Sequence, residues 1–270
     1  MAGLAGALRA LGAEVRVCAP PDFADLLARV GVLLVPAGGP VREMVREVFT
    51  SRTPPSAADL AAGVIAGQAD AVAEAAEGCD VLVAAGLTTA AAGAQAVSEQ
   101  RGLRYLYAAY APCYLPSPCY PPLSLHGQPA PPGLAVRDNR VLWDLNARGM
   151  NAVFGAPVNA YRASLGLPAV DNVRDYVSTD HPWLAADPTL APWPEPADFD
   201  VVQTGAWILP DERPLPDELE AFLDAGAPPV YVSFGSMPVR EAQEVARVVV
   251  EAVRAAADGS CSGPAGPISP

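Results

Sequence analysis

Between Leu4 and Ala108 the chain switches repeatedly from helical to extended apolar periodicity, and that alternation leaves few folds open. Leu4, Leu8 and Leu11 have helical spacing, Gly12 stops the run, and Glu14 to Cys18 alternates as a strand does. Asp22 to Val30 is helical again, closed by Gly31, and Val32 to Val35 makes a second short apolar strand. Ser56 is placed to cap a long Ala-rich helix that runs to about Ala76 and ends at Gly78. Asp80 to Ala84 reads as a buried strand, Thr88 or Thr89 as the cap of the next helix, and Leu103 to Ala108 as another strand. Parallel neighbours need a crossover between them, so helices alternating with strands imply a parallel sheet flanked by helices. The series opens on a helix, with no strand before it.

Composition narrows the function classes. With 270 residues, 51% of them apolar and 17% charged, the chain buries a sizeable core and is not simply disordered. Seventeen basic residues, all Arg, face 30 acidic ones, and the formal charge of -13 repels nucleic-acid backbones and anionic lipid alike. We therefore expect no nucleic acid and no membrane among the partners. Apolar runs fall short of the roughly 20 residues of a membrane span and the start lacks a signal-like pattern, so a cytoplasmic location is expected. The five cysteines (Cys18, Cys79, Cys113, Cys119, Cys261) are scattered and odd in number, and His126 and His181 stand far apart. Free thiols and no metal site are expected.

Further along, Val41 to Thr53 is mixed and charged, and Ala109 to Gly133 is a Pro- and Tyr-rich stretch too long for an ordinary connection, more like a binding loop over a sheet edge. Helical periodicity returns from Asn139 to Leu165, and short strands are expected at Trp183 to Ala186 and Asp200 to Gln203. Thr204 to Pro216, with Gly near its start and three prolines, has the composition of a linker. A new unit follows it, with a helix over Pro216 to Ala225, a strand over Val230 to Phe234 and an amphipathic helix over Val239 to Ala256. The domain reading is thus residues 1–203, a linker at 204–216, the first βα unit of a second domain at 217–256, and an aperiodic tail at 257–270.

Several places could carry chemistry. Gly235 and Ser236 sit where a buried strand turns into a helix, and the N–H groups of such a turn suit a diphosphate, although a plain strand-to-helix turn looks the same and no G-x-G-x-x-G or Walker lysine accompanies it. Gly86-Leu87-Thr88-Thr89 forms a similar crevice, with hydroxyls able to cap the helix or meet a ligand. Tyr107, Tyr110, Tyr114 and Tyr120 are platforms fit for stacking on a bulky ring, or for packing on their own scaffold. Thr179-Asp180-His181 is a poor acid/base pair, because neighbours on an extended chain face opposite ways. A G-x-S-x-G elbow is absent, and no carboxylate pair has glycosidase spacing.

Four blocks together carry a family resemblance: Arg9 to Asp22 (Arg-Ala-Leu-Gly-Ala-Glu-Val-Arg-Val-Cys-Ala-Pro-Pro-Asp), Tyr161 to Pro168 (Tyr-Arg-Ala-Ser-Leu-Gly-Leu-Pro), Asp180 to Trp183, and Val202 to Arg213 (Val-Gln-Thr-Gly-Ala-Trp-Ile-Leu-Pro-Asp-Glu-Arg). They resemble the actinobacterial family 1 glycosyltransferases of the vancomycin and chloroeremomycin group, from about Ala2 to Ala256, with the Gln203 to Arg213 block the most specific. The resemblance implies GT-B architecture and inverting transfer of a sugar from a UDP- or dTDP-sugar to a glycopeptide aglycone, without metal or other cofactor. It assigns Gly235 and Ser236 to the donor, and the aromatic loop, through Tyr110, Tyr114 and Tyr120, to the acceptor.

The departures shape the expectation. Members open on a strand and a Gly-Ser-Arg-Gly-Asp-Val-Glu-Pro loop whose Asp is a candidate general base, and they continue into a His-x-Gly segment that grips the diphosphate. Neither occurs here, so no catalytic residue is assigned. The expected fold is a Rossmann-like parallel sheet of a GT-B amino-terminal domain lacking its first strand, with a gap or open edge at its centre, plus the start of a second such domain. The chain is then expected to be an inactive fragment, truncated at both ends. Back-translation of Ala257 to Pro270 with G/C-rich codons yields a family-like segment in another frame, which suggests a frameshift. A non-catalytic acceptor-binding module is the rival reading, and a GT-B nucleotide-sugar epimerase shares the fold but not the Gln203 to Arg213 block.

Overall fold

The computed structural model describes residues 1–50, 55–123, 138–194, 199–226, 228–233 and 241–257. The chain forms two compact units, Met1–Leu209 and Pro210–Pro270, divided inside the Pro-rich stretch that follows Thr204.

The first unit begins with α1 (Ala2–Ala10), β1 (Arg16–Ala19), a 3-10 turn at Pro21–Phe23, α2 (Ala24–Arg29) and β2 (Leu33–Pro36). Gly12 and Gly31, with φ of 90° and 63°, make the turns into the two strands. Next comes α3 (Val41–Thr50), a helix in the stretch read from sequence only as mixed and charged, although Val41, Met44, Val45 and Val48 recur at helical spacing. Its start is held from outside, because the Asp22 carboxylate accepts the Val41 N–H at 2.7 Å. Then α4 (Ala57–Ala75) starts at Ser56, whose hydroxyl accepts the Asp59 N–H as expected. It is followed by β3 (Val81–Ala85), α5 (Thr88–Arg101) and β4 (Arg104–Ala109). Thr88 and Thr89 do not cap α5, since the cap position falls on Leu87 and Thr88 already lies in the first turn.

Beyond β4 the chain turns through Pro112–Tyr114, and resumes with the long α6 (Asn139–Ser164), α7 (Val173–Ser178), β5 (Trp183–Leu184) and β6 (Val202–Gln203). Asp138 caps α6 by accepting the Arg140 N–H at 2.9 Å. The short α7 is capped by Asn172 and anchored to α6, where Asn151 accepts the Val173 N–H at 2.8 Å and donates to the Asp171 carbonyl at 2.6 Å.

Among the described residues all strand pairings are parallel, as the alternating pattern requires. The strands form two ladders, β1–β2 and β3–β4–β5–β6, so β1 and β3 share no hydrogen bonds and the expected centre of the sheet is open. Two apolar clusters follow this division. Ala5, Val17, Leu27 and Val32 pack α1 and α2 against the smaller ladder. The larger cluster gathers Ile65 and Val72 of α4, Val97 of α5, Val158 of α6, Val173 and Val177 of α7 and Leu184 of β5. Cys18 of β1 packs against this larger cluster, so helix α4 serves both ladders.

The second unit contributes α8 (Asp217–Asp224) and α9 (Ala242–Ala257). The strand expected over Val230 to Phe234 is not found in its described part: residues 228–233 join no ladder, and Tyr231 is 86% exposed. A lone extended segment has no hydrogen-bonding neighbour to make it a strand.

Candidate functional site

In parallel α/β sheets, ligands meet the carboxyl ends of the strands, where the loops into the helices converge. In the first unit, a cavity of about 110 Å³ opens beside the carboxyl ends of β3 and β4. Thr88, at the start of α5, and Tyr107, near the end of β4, form one side, and Cys113, Tyr114 and Leu123 of the loop after β4 form another. The remaining wall comes from α6, with Trp143, Asn146 and Met150, and from α7, with Arg174, Val177 and Ser178. Most of this lining is apolar or aromatic, and polar groups are few, which is the usual character of a small-molecule site.

Two large side chains of this wall, Trp143 and Arg174, are tied down by hydrogen bonds. Trp143 is buried and its indole N–H donates to the Tyr120 carbonyl at 2.8 Å. Arg174 donates to the Trp143 carbonyl and to the Asp175 carboxylate, both at 2.6 Å, with its guanidinium 5.9 Å from the Trp143 ring centre. Its charge is therefore balanced beside the cavity. Burial pushes the Tyr107 phenol up to about 12, helped by the neighbouring Tyr114 and Tyr110, and burial also raises the Cys113 thiol. Both stay neutral near pH 7, so the cavity carries no net charge of its own.

Near the carboxyl ends of α5 and α6 lies a charged brace. Arg162 of α6, 2% exposed, meets both Glu99 oxygens at 3.0 Å, donates to the Pro168 carbonyl at 2.8 Å, and stands 4.5 Å over the Tyr176 ring. It fixes α5, α6 and α7 relative to one another.

Of the three tyrosines assigned to the acceptor, the structure brings Tyr114 to the cavity mouth, 47% exposed. Tyr110 sits edge-on to Trp207 at 5.9 Å between ring centres, and its hydroxyl accepts from the Met1 ammonium at 3.1 Å. Tyr120 donates its hydroxyl to the Pro192 carbonyl at 2.8 Å and reaches the site through its backbone, behind Trp143. Gly235 and Ser236 lie outside the described residues. His181 is paired with Asp200 at 3.1 Å on the surface, not with its sequence neighbours. Trp143, Arg174 and Ser178 were not singled out from the sequence. The Asn172-x-x-Asp175 spacing, in which Asn172 accepts the Asp175 N–H at 3.2 Å, was the available sign that a helix brings the last two here.

Searching known family models gives no match. Against curated proteins, the chain is 49% identical over 256 residues to glycosyltransferase GtfE of Amycolatopsis orientalis, a match covering 94% of this chain and 61% of that protein. It is 45% identical over 258 residues to the vancomycin aglycone glucosyltransferase of the same organism, again with 94% and 61% coverage. Over 94% of its length this chain is similar to these glycosyltransferases of Amycolatopsis orientalis. It spans about 61% of the length of these two relatives. Among solved structures, spinosyn forosaminyltransferase SpnP aligns with a TM-score of 0.52 at 17% identity, over 93% of this chain and 57% of that one, which supports the shared fold alone. The α/β architecture with parallel ladders is the GT-B type that the resemblance implied for a family glycosyltransferase.

Proposed function

We propose that the protein to which these residues belong transfers a sugar from a UDP- or dTDP-sugar to a glycopeptide aglycone with inversion, and that the unit Met1–Leu209 is its acceptor side. The observation that carries this reading is the 49% identity to a glycosyltransferase over 256 residues, combined with a preformed, uncharged, aromatic-walled cavity at the carboxyl ends of β3 and β4. A relative named for a vancomycin aglycone supplies the acceptor class. Tyr114 contacts the acceptor directly in this reading, Tyr110 and Tyr120 support the surrounding loop, and Gly235 and Ser236 serve the donor diphosphate. No cofactor beyond the donor is invoked.

The test is calorimetry of this chain with a glycopeptide aglycone and no sugar donor. Saturable binding that Tyr114→Ala weakens supports the acceptor reading. Absence of binding up to the solubility limit of the aglycone overturns it. The rival, a module that binds acceptor but belongs to no transferase, is separated by supplying donor to a chain extended to the length of its relatives and looking for glycosylated product.

A further inference from the structure

Two halves of an unmade ladder lie on this chain. The first is the open centre of the sheet. β1 pairs only with β2 and β3 only with β4, so among the described residues each leaves the N–H and C=O groups of one side without a strand beside them. Helix α4 joins the two ladders, packing on β1 and β2 as well as on α5 and α6, and Cys18 of β1 and Leu82 of β3 both lie against the larger apolar cluster. β1 is the inner strand of its ladder, since Arg16 reaches the turn before β3 while Leu33 of β2 is exposed. Arg16 donates there to the Glu77 carbonyl at 2.7 Å and to the Glu14 carboxylate at 3.0 Å, so its charge is already balanced.

The second half is the extended segment Val230–Ser233. Val-Tyr-Val has the β-branched and aromatic make-up of a strand, and Pro228 and Pro229 favour an extended approach to it. No charged residue occurs between Asp224 and Arg240. Nevertheless the segment joins no ladder, and Val230, Tyr231 and Val232 are all exposed. Unpaired strand edges are templates for another chain, and an apolar strand left in water gains by being covered.

We infer that two copies of this chain associate by strand exchange, the Val230–Ser233 segment of each entering the open centre between β1 and β3 of the other. The backbone sets the first requirement. Neighbouring residues of an extended chain send their N–H and C=O groups to opposite sides, so one segment serves both open edges, which the helices α8 and α9 cannot do. Covered faces set the second: a strand with neighbours on both sides in a parallel sheet is a continuous apolar run, as Val230-Tyr231-Val232 is. Charge sets the third, because an uncharged segment enters without desolvating an ion. Reciprocal exchange makes two equal contacts and closes the assembly at two copies.

The test uses the full chain, followed by analytical ultracentrifugation over a range of concentrations and by hydrogen exchange. We expect a concentration-dependent dimer in which the amides of β1, β3 and Val230–Ser233 gain protection together. Tyr231→Pro removes the central N–H from a segment that is exposed in the single copy; it should abolish both the dimer and the added protection while the circular dichroism stays intact. Tyr231→Thr keeps the N–H and the strand preference and should retain both. A capped peptide with the sequence of Pro229 to Phe234 should dissociate the dimer, and N-methylation at Val230, Tyr231 or Val232 should each weaken its effect about fivefold or more, because successive residues bond to opposite edges. A chain that stays monomeric at every concentration, a dimer that survives Tyr231→Pro, or a dimer without added protection in β1 and β3 would overturn the inference. So would a peptide sensitive to N-methylation only at alternate positions, which is the mark of pairing with a single edge.

Discussion

The guanidinium of Arg162 grips the carboxylate of Glu99 through two parallel bonds of 3.0 Å, joining α6 to α5 near the carboxyl ends of both helices. The Arg162 side chain is 3% exposed and that of Glu99 36%, so the cation is the member that depends on its partner. Glu99→Ala should therefore leave a buried, uncompensated charge and cost about 3 kcal/mol, the low end for a broken buried pair because Glu99 itself is partly solvated. Urea unfolding of the variant checks this, and the double variant with Arg162→Met should recover part of the loss.

Asp22 behaves differently because it works in the open. Bonds from the Val41 N–H at 2.7 Å and, at 3.5 Å, from the Arg42 N–H hold its carboxyl below the usual carboxylate range. A native value below the unfolded one means the contribution is complete above the unfolded value of about 3.9 and disappears as pH falls through the native value. Acid unfolding of Asp22→Asn should accordingly show a shallower fall in stability below about pH 4 than the parent chain. A parallel acid limb in both proteins would show that the cap does not titrate.

Glycines in α1 separate close packing from helix propensity. A Cβ on Gly3 would lie 2.7 Å from the Trp207 carbonyl oxygen and 2.9 Å from that of Ile208, while one on Gly6 would meet nothing within 4 Å. Gly3→Ala should thus destabilise by about 1–3 kcal/mol, since backbone must move to admit the methyl group. Gly6→Ala should stabilise by about 0.5–1 kcal/mol. Denaturant midpoints of the two variants test both signs together.

Thiol reactivity should follow burial. Desolvation, with a smaller contribution from Glu74, pushes the Cys18 thiol up to about 11, whereas Cys119 is exposed. At pH 8 only roughly one Cys18 in a thousand is thiolate, so a small alkylating reagent followed by mass spectrometry should label Cys119 well before Cys18. Equal rates would mean that β1 opens freely on the labelling timescale.

Where local pattern decided structure, the sequence was readable. Ser56 announced α4, Gly12 and Gly31 marked the turns into β1 and β2, and the apolar runs at Val81 and Arg104 fell into parallel register as the alternation implied. Helix α3 went unread although Val41, Met44, Val45 and Val48 recur at helical spacing; only its cap, supplied by Asp22 from 19 positions upstream, lies outside any local window. The break between the β1–β2 ladder and the rest was expected only as a gap in one sheet, because ladder membership depends on contacts far apart in sequence. At the site, Tyr114 and Tyr107 could be noticed as aromatic residues near a strand end. Trp143, Arg174 and Ser178 reach the same cavity from α6 and α7, and only tertiary packing makes them neighbours.

The long reach of the β4–β5 pairing also sets a timetable for synthesis. Ala108 of β4 pairs with Trp183, roughly 75 residues later, and Trp183 in turn with Val202. At about 5–20 residues per second a ribosome takes roughly 4–15 s to deliver that partner. During this interval the outer edge of β4 has no strand beside it, and α6 and α7 emerge before the strands that complete the ladder. The nascent unit therefore completes its larger ladder from the β3 edge toward the β6 edge, and the Trp183 strand is the step that covers the open side of β4.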